Sequence, residues 1–239
     1  MEEDFKSEGK CLFCGKTFAK AGINKHFLAH LKEMTESGEK GQSFLVKVET
    51  KKQWGPTPYF LSFWIDGEAT FKSFDKFLRD IWLECCGHMS AFNYQNKRKK
   101  TVGFQLMPDD DFGDIPMNGK VKKVFLKGLT LDYEYDFGST TALDITVIDE
   151  FPIKAQSKIV LLSRNEPIAI PCSSCKKVPA TKICTVCMYE GEALFCNKCA
   201  PKHAKKCDDF DDYAAMSVVN SPRMGICGYE GGTIDKERD

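Results

Sequence analysis

The chain has no long apolar run. Its longest, residues 59–65 broken only by Ser62, falls far short of the roughly 20 residues that a membrane helix needs, so no membrane partner is expected. It has no excess charge of either sign: Lys and Arg number 34, Asp and Glu 34, among 239 residues, which excludes a protein that coats nucleic acid through bulk charge. Met1 is followed by Glu2, Glu3 and Asp4, without the basic start and apolar stretch of a secretory leader, which predicts a soluble cytoplasmic protein with reduced thiols. No Gly-rich phosphate loop, serine nucleophile elbow or His-Glu-x-x-His motif is present, and this weighs against an enzyme. Asp109, Asp110, Asp111 and Asp114 lack the glycine and terminal glutamate of a calcium loop and read as surface acids. Aromatic residues, abundant between positions 54 and 151, are scarce in the last quarter. That last quarter therefore has little from which to build a core.

What it has instead is cysteine. Between positions 171 and 208 stand Cys172, Cys175, Cys184, Cys187, Cys196, Cys199, His203 and Cys207. Six of these form Cys-x-x-Cys pairs, a spacing that lets two thiolates reach one tetrahedral ion, and eight ligands imply two ions. In a stretch this short and polar, coordination has to supply most of the folding free energy, roughly 10–16 kcal/mol per structural zinc. Disulfides are the alternative, disfavoured by the cytoplasmic reading. Two partnerships are open from spacing: the first four ligands on one ion and the last four on the other, or an interleaved arrangement.

Near the start, Cys11 and Cys14 are followed by His26 and His30. Residues 23–31 read as a helix, on which histidines at i and i+4 share one face. This segment resembles the two-Cys, two-His zinc finger, with Phe18 and Ile23 where that family places its small core. It departs by one residue, eleven separating Cys14 from His26 where twelve is usual, so a shortened entry into the helix is expected. By the resemblance the base-reading positions fall on Ala19, Gly22 and Lys25. Only Lys25 donates a strong hydrogen bond, and Lys10, Lys16, Lys20 and Lys32 add phosphate contacts, so weak, salt-sensitive nucleic-acid binding is the most this finger predicts.

Residues 33–42, charged and without an apolar period, read as a linker. Beyond it Phe44, Val46 and Val48 alternate as a strand, Pro56 and Pro58 interrupt, and residues 59–65 read as a buried strand that pairs with the first. Ser73 is read as the cap of a helix whose apolar stripe runs Phe74, Phe77, Leu78, Ile81, Trp82, Cys85, with Gly87 ending it. A short strand at Val102, Phe104 and Leu106 is flanked by the basic run Lys97, Arg98, Lys99, Lys100 and by the acidic loop. Leu129, Leu131, Tyr133, Tyr135 and Phe137 alternate with polar residues, as do Leu143, Ile145 and Val147 after Gly138-Ser139, which predicts a hairpin with one wet face. Residues 159–162 supply a last strand. The fold class expected is α+β, a mainly antiparallel sheet with packed helix, flanked by two small zinc-binding modules.

The segment 73–92, with Gly87-His88-Met89-Ser90-Ala91-Phe92, and the run Tyr133-Glu134-Tyr135-Asp136-Phe137-Gly138 resemble the plasmid pRiA4b open-reading-frame-three-like family. The resemblance spans roughly residues 44–163 and implies an α+β domain related to transposon passenger proteins, with no established activity to carry over. Ser139, Thr141 and Leu143 stand where the family has an acid, a tryptophan and a histidine. The C-terminal cysteines resemble the HIT, MYND and B-box group of cross-braced fingers, closest to the HIT type in the ending Cys199, His203, Cys207. That resemblance implies one ion on Cys172, Cys175, Cys196 and Cys199 and another on Cys184, Cys187, His203 and Cys207. The Cys196–Cys199 pair is one residue shorter than usual for the group, and the loop from Cys187 to Cys196 is longer.

The organisation expected is thus a finger at 8–32, an α+β domain at 43–164, a double-zinc module at 170–209 and a tail at 210–239. All three ligand sets are closed, the structural rather than the catalytic pattern, so three structural zinc ions are expected. The leading expectation is a non-catalytic zinc protein whose C-terminal module presents a protein-binding surface. Lys176, Lys177, Lys182, Lys198, Lys202, Lys205 and Lys206 make it basic before the chain turns abruptly acidic at Asp208, Asp209, Asp211 and Asp212, and an acidic peptide is the expected partner. The alternatives are nucleic-acid binding linked to mobile elements through the finger and basic loops, and an enzyme with a reactive thiol at Cys86 beside His88.

Overall fold

The computed structural model describes residues 7–51, 58–94, 104–106 and 115–239. Positions 1–4, Pro56, Val102, the basic run 97–100 and the acids Asp109, Asp110, Asp111 and Asp114 lie outside the described residues. Two units are formed, one by Met1–Arg79 with His88–Glu166, the other by Asp80–Gly87 with Pro167–Asp239. No helix among the described residues is long and apolar enough to cross a membrane.

The first unit runs β1 (Glu8–Lys10), β2 (Thr17–Ala19), α1 (Lys20–Met34), β3 (Lys40–Thr50), β4 (Phe60–Asp66), α2 (Phe71–Leu78), β5 (Ser90–Tyr94), β6 (Phe104–Leu106), β7 (Thr130–Tyr135), β8 (Thr141–Ile153) and β9 (Ile159–Arg164). Seven strands make one antiparallel sheet in the order β6-β5-β7-β8-β3-β4-β9. The expected pairing of the first two core strands is present, from Ser43 opposite Asp66 to Glu49 opposite Phe60. The expected hairpin is β7 with β8.

β4 reads Phe-Leu-Ser-Phe-Trp-Ile-Asp without alternation because both of its faces are covered, and every residue in it is buried. On one face Phe60 and Trp64 join Leu45, Phe151, Ile153 and Leu162 against Ile23, Phe27 and Leu31 of α1. On the other, Phe63 meets Phe74 of α2 edge-on at 5.3 Å, and Phe74 meets Phe92 at 5.4 Å. Asp75 of α2 is buried and satisfied: Tyr133 Oη donates to it at 2.7 Å, Ser90 Oγ at 2.5 Å and Arg79 Nε at 2.7 Å. Burial first, and then the Asp75 charge, push the Tyr133 phenol well above its ordinary range, so it stays a donor.

The helix departs from expectation at both ends. Thr70, not Ser73, is the cap: its hydroxyl accepts from Ser73 N at 3.1 Å while Ser73 Oγ accepts from Thr70 N at 3.1 Å, a reciprocal capping box. The α-helix stops at Leu78 and widens into a π-turn over Arg79–Leu83. Within the second unit two carbonyls of that turn are engaged from outside the helix, Asp80 O by Thr233 N at 2.6 Å and Trp82 O by Ser221 Oγ at 2.7 Å. Cys85 therefore lies beyond the helix, half-buried. Gly232 has to be glycine here, since a Cβ on it would stand 2.5 Å from Ile81 O.

The remainder of the second unit holds β10 (Lys182–Cys184), β11 (Leu194–Phe195), α3 (Ala200–Ala204) and β12 (Ala215–Ser217). Strands order as β11-β10-β12, so residues beyond 209 supply one edge of this small sheet. Ser221, Arg223 and Tyr229 are buried as well.

Candidate metal centres

The chain's Cys and His residues converge into groups that can hold metal ions. In the first unit Cys11 and Cys14 sit on the turn between β1 and β2, and His26 and His30 on α1. The shortened entry is visible: β2 ends at Ala19 and α1 begins at Lys20, with no side-chain cap. Gly15 adopts φ +74°, folding its N–H back to Cys11 O at 2.8 Å and turning Cys14 toward the histidines. His26 Nε2 lies 3.0 Å from His30 Nε2 and 3.3 Å from Cys14 Sγ. A tetrahedral zinc with Zn–N of about 2.0–2.1 Å and Zn–S of about 2.3 Å sets edges of about 3.3 Å and 3.5 Å, so the spacing fits. Phe18 stacks on His26, ring centroids 4.1 Å apart, and fixes the imidazole plane. Burial, then the charges of His30 and Lys16, push the His26 pKa down, keeping the ring neutral as a ligand must be.

The base-reading positions implied by the finger resemblance, Ala19, Gly22 and Lys25, are exposed. The opposite face of α1 is spent on the sheet, and Lys20 is held at 2.7 Å by Glu49.

In the second unit the eight ligands interleave. Cys172, Cys175, Cys196 and Cys199 form one group and Cys184, Cys187, His203 and Cys207 the other, ligand atoms in each within 4.8 Å of one another. The sequential partnership left open by spacing is thus not the one adopted. The reason is the small antiparallel sheet: Lys182 opposite Phe195 sets the two Cys-x-x-Cys turns that flank β10 apart, and Cys172 N–H bonds to Val178 O instead. Cys175 Sγ is 4.0 Å from Cys196 Sγ, and Cys207 Sγ is 3.9 Å from both Cys184 Sγ and Cys187 Sγ. These approach the edge of about 3.8 Å for two thiolates on one zinc and are far beyond the roughly 2.05 Å of a disulfide.

The donor chemistry fits a cation at both places. His203 Nε2 is buried and has no hydrogen-bond partner among the described residues. Left so, it costs about 1–3 kcal/mol; a metal on that lone pair removes the penalty. Phe195 stacks on the His203 ring at 4.1 Å, repeating the Phe18–His26 arrangement. At Cys172 burial works to raise the pKa, but N–H groups of Cys175, Cys196 and Ser174 overcome it and bring the thiol to about 6. Cys187 goes the other way, to about 12, through burial and the neighbouring Cys184 and Cys207 thiols, a mutual repulsion that a divalent cation relieves.

Cys86 and His88, the pair considered for catalysis, are placed differently. Cys86 Sγ is exposed, 3.6 Å from Cys85 Sγ and 3.4 Å from Cys227 Sγ. His88 lies in the first unit, its Nε2 3.7 Å from Asp136 Oδ2. Cys227 is the site residue that sequence reasoning passed over, since it stands alone with no Cys-x-x-Cys mate.

No family model matches the chain, and no curated protein matches it. Among solved structures, the crystal structure of a protein of unknown function, MM3350 from Methanosarcina mazei Go1, is similar at 15% identity and a TM-score of 0.40, over 51% of this chain and 67% of that one.

Proposed function

We propose that the protein is a non-catalytic zinc protein whose C-terminal module presents a groove to an acidic peptide, with structural zinc on the Cys11, Cys172 and Cys184 groups. Zinc is the metal because mixed thiolate and imidazole donors in closed sets of four suit it, and hard cations such as calcium or magnesium prefer oxygen. On this reading the seven-stranded domain, with its resemblance to the pRiA4b family, serves as a scaffold.

The observation that carries the reading is a groove of about 510 Å³ alongside α3. Ala200, Pro201, Ala204, Phe210 and Ala215 supply its apolar lining, Lys182 and Lys205 its cationic groups, and Asn197 and Asp211 the rest of its polar rim, so two cations stand against one acid. The apolar lining suits one buried anchor side chain and the lysines suit carboxylates beside it. α3 also carries His203, and its preceding residue is Cys199, so the groove's shape depends on both interleaved metal groups. Exposed Lys198, Lys202 and Lys206 extend the positive field around it.

The test is fluorescence anisotropy with short Glu-rich peptides carrying a single Leu or Phe. Binding is expected to weaken at least tenfold in the K182E/K205E double variant, at unchanged zinc content, and to vanish on chelation. Equal affinity of wild type and double variant overturns the proposal.

A further inference from the structure

We infer that the second unit carries a fourth metal site, a zinc centre built on the thiolates of Cys85, Cys86 and Cys227. Cys85 and Cys86 close the segment that follows the π-turn, and Cys227 comes from the C-terminal residues, 141 positions away in sequence from Cys86. The three sulfurs stand within 4.8 Å of one another, with separations of 3.6 Å between Cys85 and Cys86 and 3.4 Å between Cys86 and Cys227. This matches a tetrahedral edge of about 3.8 Å to within a few tenths of an ångström, and is well outside bonded sulfur at about 2.05 Å.

Charge gives a second and independent indication. Three thiolates around a divalent ion carry a net charge of minus one. Arg223 is fully buried and its Nη2 donates to Cys85 Sγ at 3.5 Å. A thiolate centre gives that guanidinium an anionic acceptor. The backbone also repeats a local pattern. At Cys14 and Cys175 the next residue is left-handed, Gly15 at φ +74° and Lys176 at +55°. Cys86 and Cys227 are likewise followed by Gly87 at +75° and Gly228 at +68°, and Cys227 itself sits at +50°. A non-glycine residue in that region is strained and persists where something holds it.

The soft donor set selects zinc or another thiophilic ion and not calcium or magnesium. Two of its three cysteines are exposed, unlike the mostly buried Cys172 group, so this centre is the most accessible to exchange or oxidation.

The experiment is native mass spectrometry of the full chain purified with zinc and a non-thiol reductant, comparing wild type with Cys227→Ser and Cys86→Ser. Both positions are solvent-exposed, and circular dichroism confirms that the variants keep their fold. Wild type is expected to bind one more zinc than either variant, whatever the total. The difference thereby isolates this site, whereas failure of the three proposed zinc groups lowers the count in all samples equally. Cobalt substitution is expected to give thiolate charge-transfer absorption that decreases by one site's share in Cys227→Ser. Equal metal counts in wild type and both variants overturn the inference, as does a Cys86–Cys227 disulfide, two mass units lighter, in the fully reduced and zinc-replete preparation.

Discussion

The N-terminal and C-terminal metal groups have nearly the same ligands and a different relation to the hydrophobic core. The N-terminal group has a histidine stacked on a phenylalanine at 4.1 Å and a Cys-x-x-Cys turn closed by a left-handed residue; at the C-terminal end the Cys184 group repeats the first feature and the Cys172 group the second. In the first unit, however, α1 buries Ile23, Phe27 and Leu31 against Phe60, Trp64, Phe151 and Leu162 of the large sheet. In the second, half of the buried cluster around the ligands is the cysteines Cys172, Cys184, Cys196 and Cys199 themselves, with Phe195, Phe210, Ala200 and Ala214. On the proposed zinc reading, the same coordination chemistry is one contribution among many at one end of the chain and the main source of cohesion at the other.

Metal removal is the strongest way to break that comparison. A high-affinity chelator is expected to abolish hydrogen-exchange protection across β10, β11 and α3, where each ion accounts for roughly 10–16 kcal/mol. The seven-stranded sheet and the buried face of α1 are expected to stay protected. Simultaneous loss of both regions under chelation contradicts the distinction.

The converse perturbation deletes apolar contact and leaves the ligands alone. Phe27 is fully buried and stands in the sequence of α1 between His26 and His30, the candidate ligands. Phe27→Ala is expected to destabilise the first unit by about 3–5 kcal/mol in urea denaturation. Exchange protection around the Cys172 and Cys184 groups is expected to be unchanged. A loss below about 1 kcal/mol would mean that the metal, not the sheet, holds α1.

These differences were partly legible in the sequence. The three expected ligand groups could be read because a Cys-x-x-Cys turn and an i, i+4 histidine pair are local patterns, fixed by backbone geometry over a few residues. The antiparallel α+β sheet was legible for a similar reason, from the alternation around Leu131, Tyr133 and Tyr135. The interleaving of the C-terminal ligands was legible only through the resemblance to cross-braced fingers, because spacing alone is satisfied by either partnership; β10 and β11 decide it through pairing between distant residues. Cys227 was invisible because its neighbours Cys85 and Cys86 are joined to it only by the fold. Thr70 was missed as the helix cap because Ser73 stands closer to the apolar stripe, and a capping box contains a hydroxyl at both of its ends. The residues after 209, polar and read as a tail, enter a strand whose partner is β10, a contact that no local pattern announces.

The finest distinction concerns the polar clamp between α1 and the sheet. Glu49 of β3 is bound at 2.7 Å by Lys20, the first residue of α1, and also by Lys47. Burial works to raise the Glu49 pKa, but the two ammonium groups outweigh it and hold the carboxyl below its ordinary 4.5. A carboxylate depressed in the folded state contributes stability that is fully present above its unfolded value and is lost as pH falls through the folded one. At neutral pH Glu49→Gln is therefore expected to cost on the order of 1 kcal/mol or less, because one member of the clamp remains partly hydrated. As pH drops below about 4.5 the urea midpoints of variant and wild type are expected to converge. Acid also releases metal from thiolate and imidazole ligands, but that loss is common to both proteins and cancels in their difference. A gap between the two that persists or widens at low pH would mean that Glu49 acts through packing, and that α1 is held to the sheet by its apolar face alone.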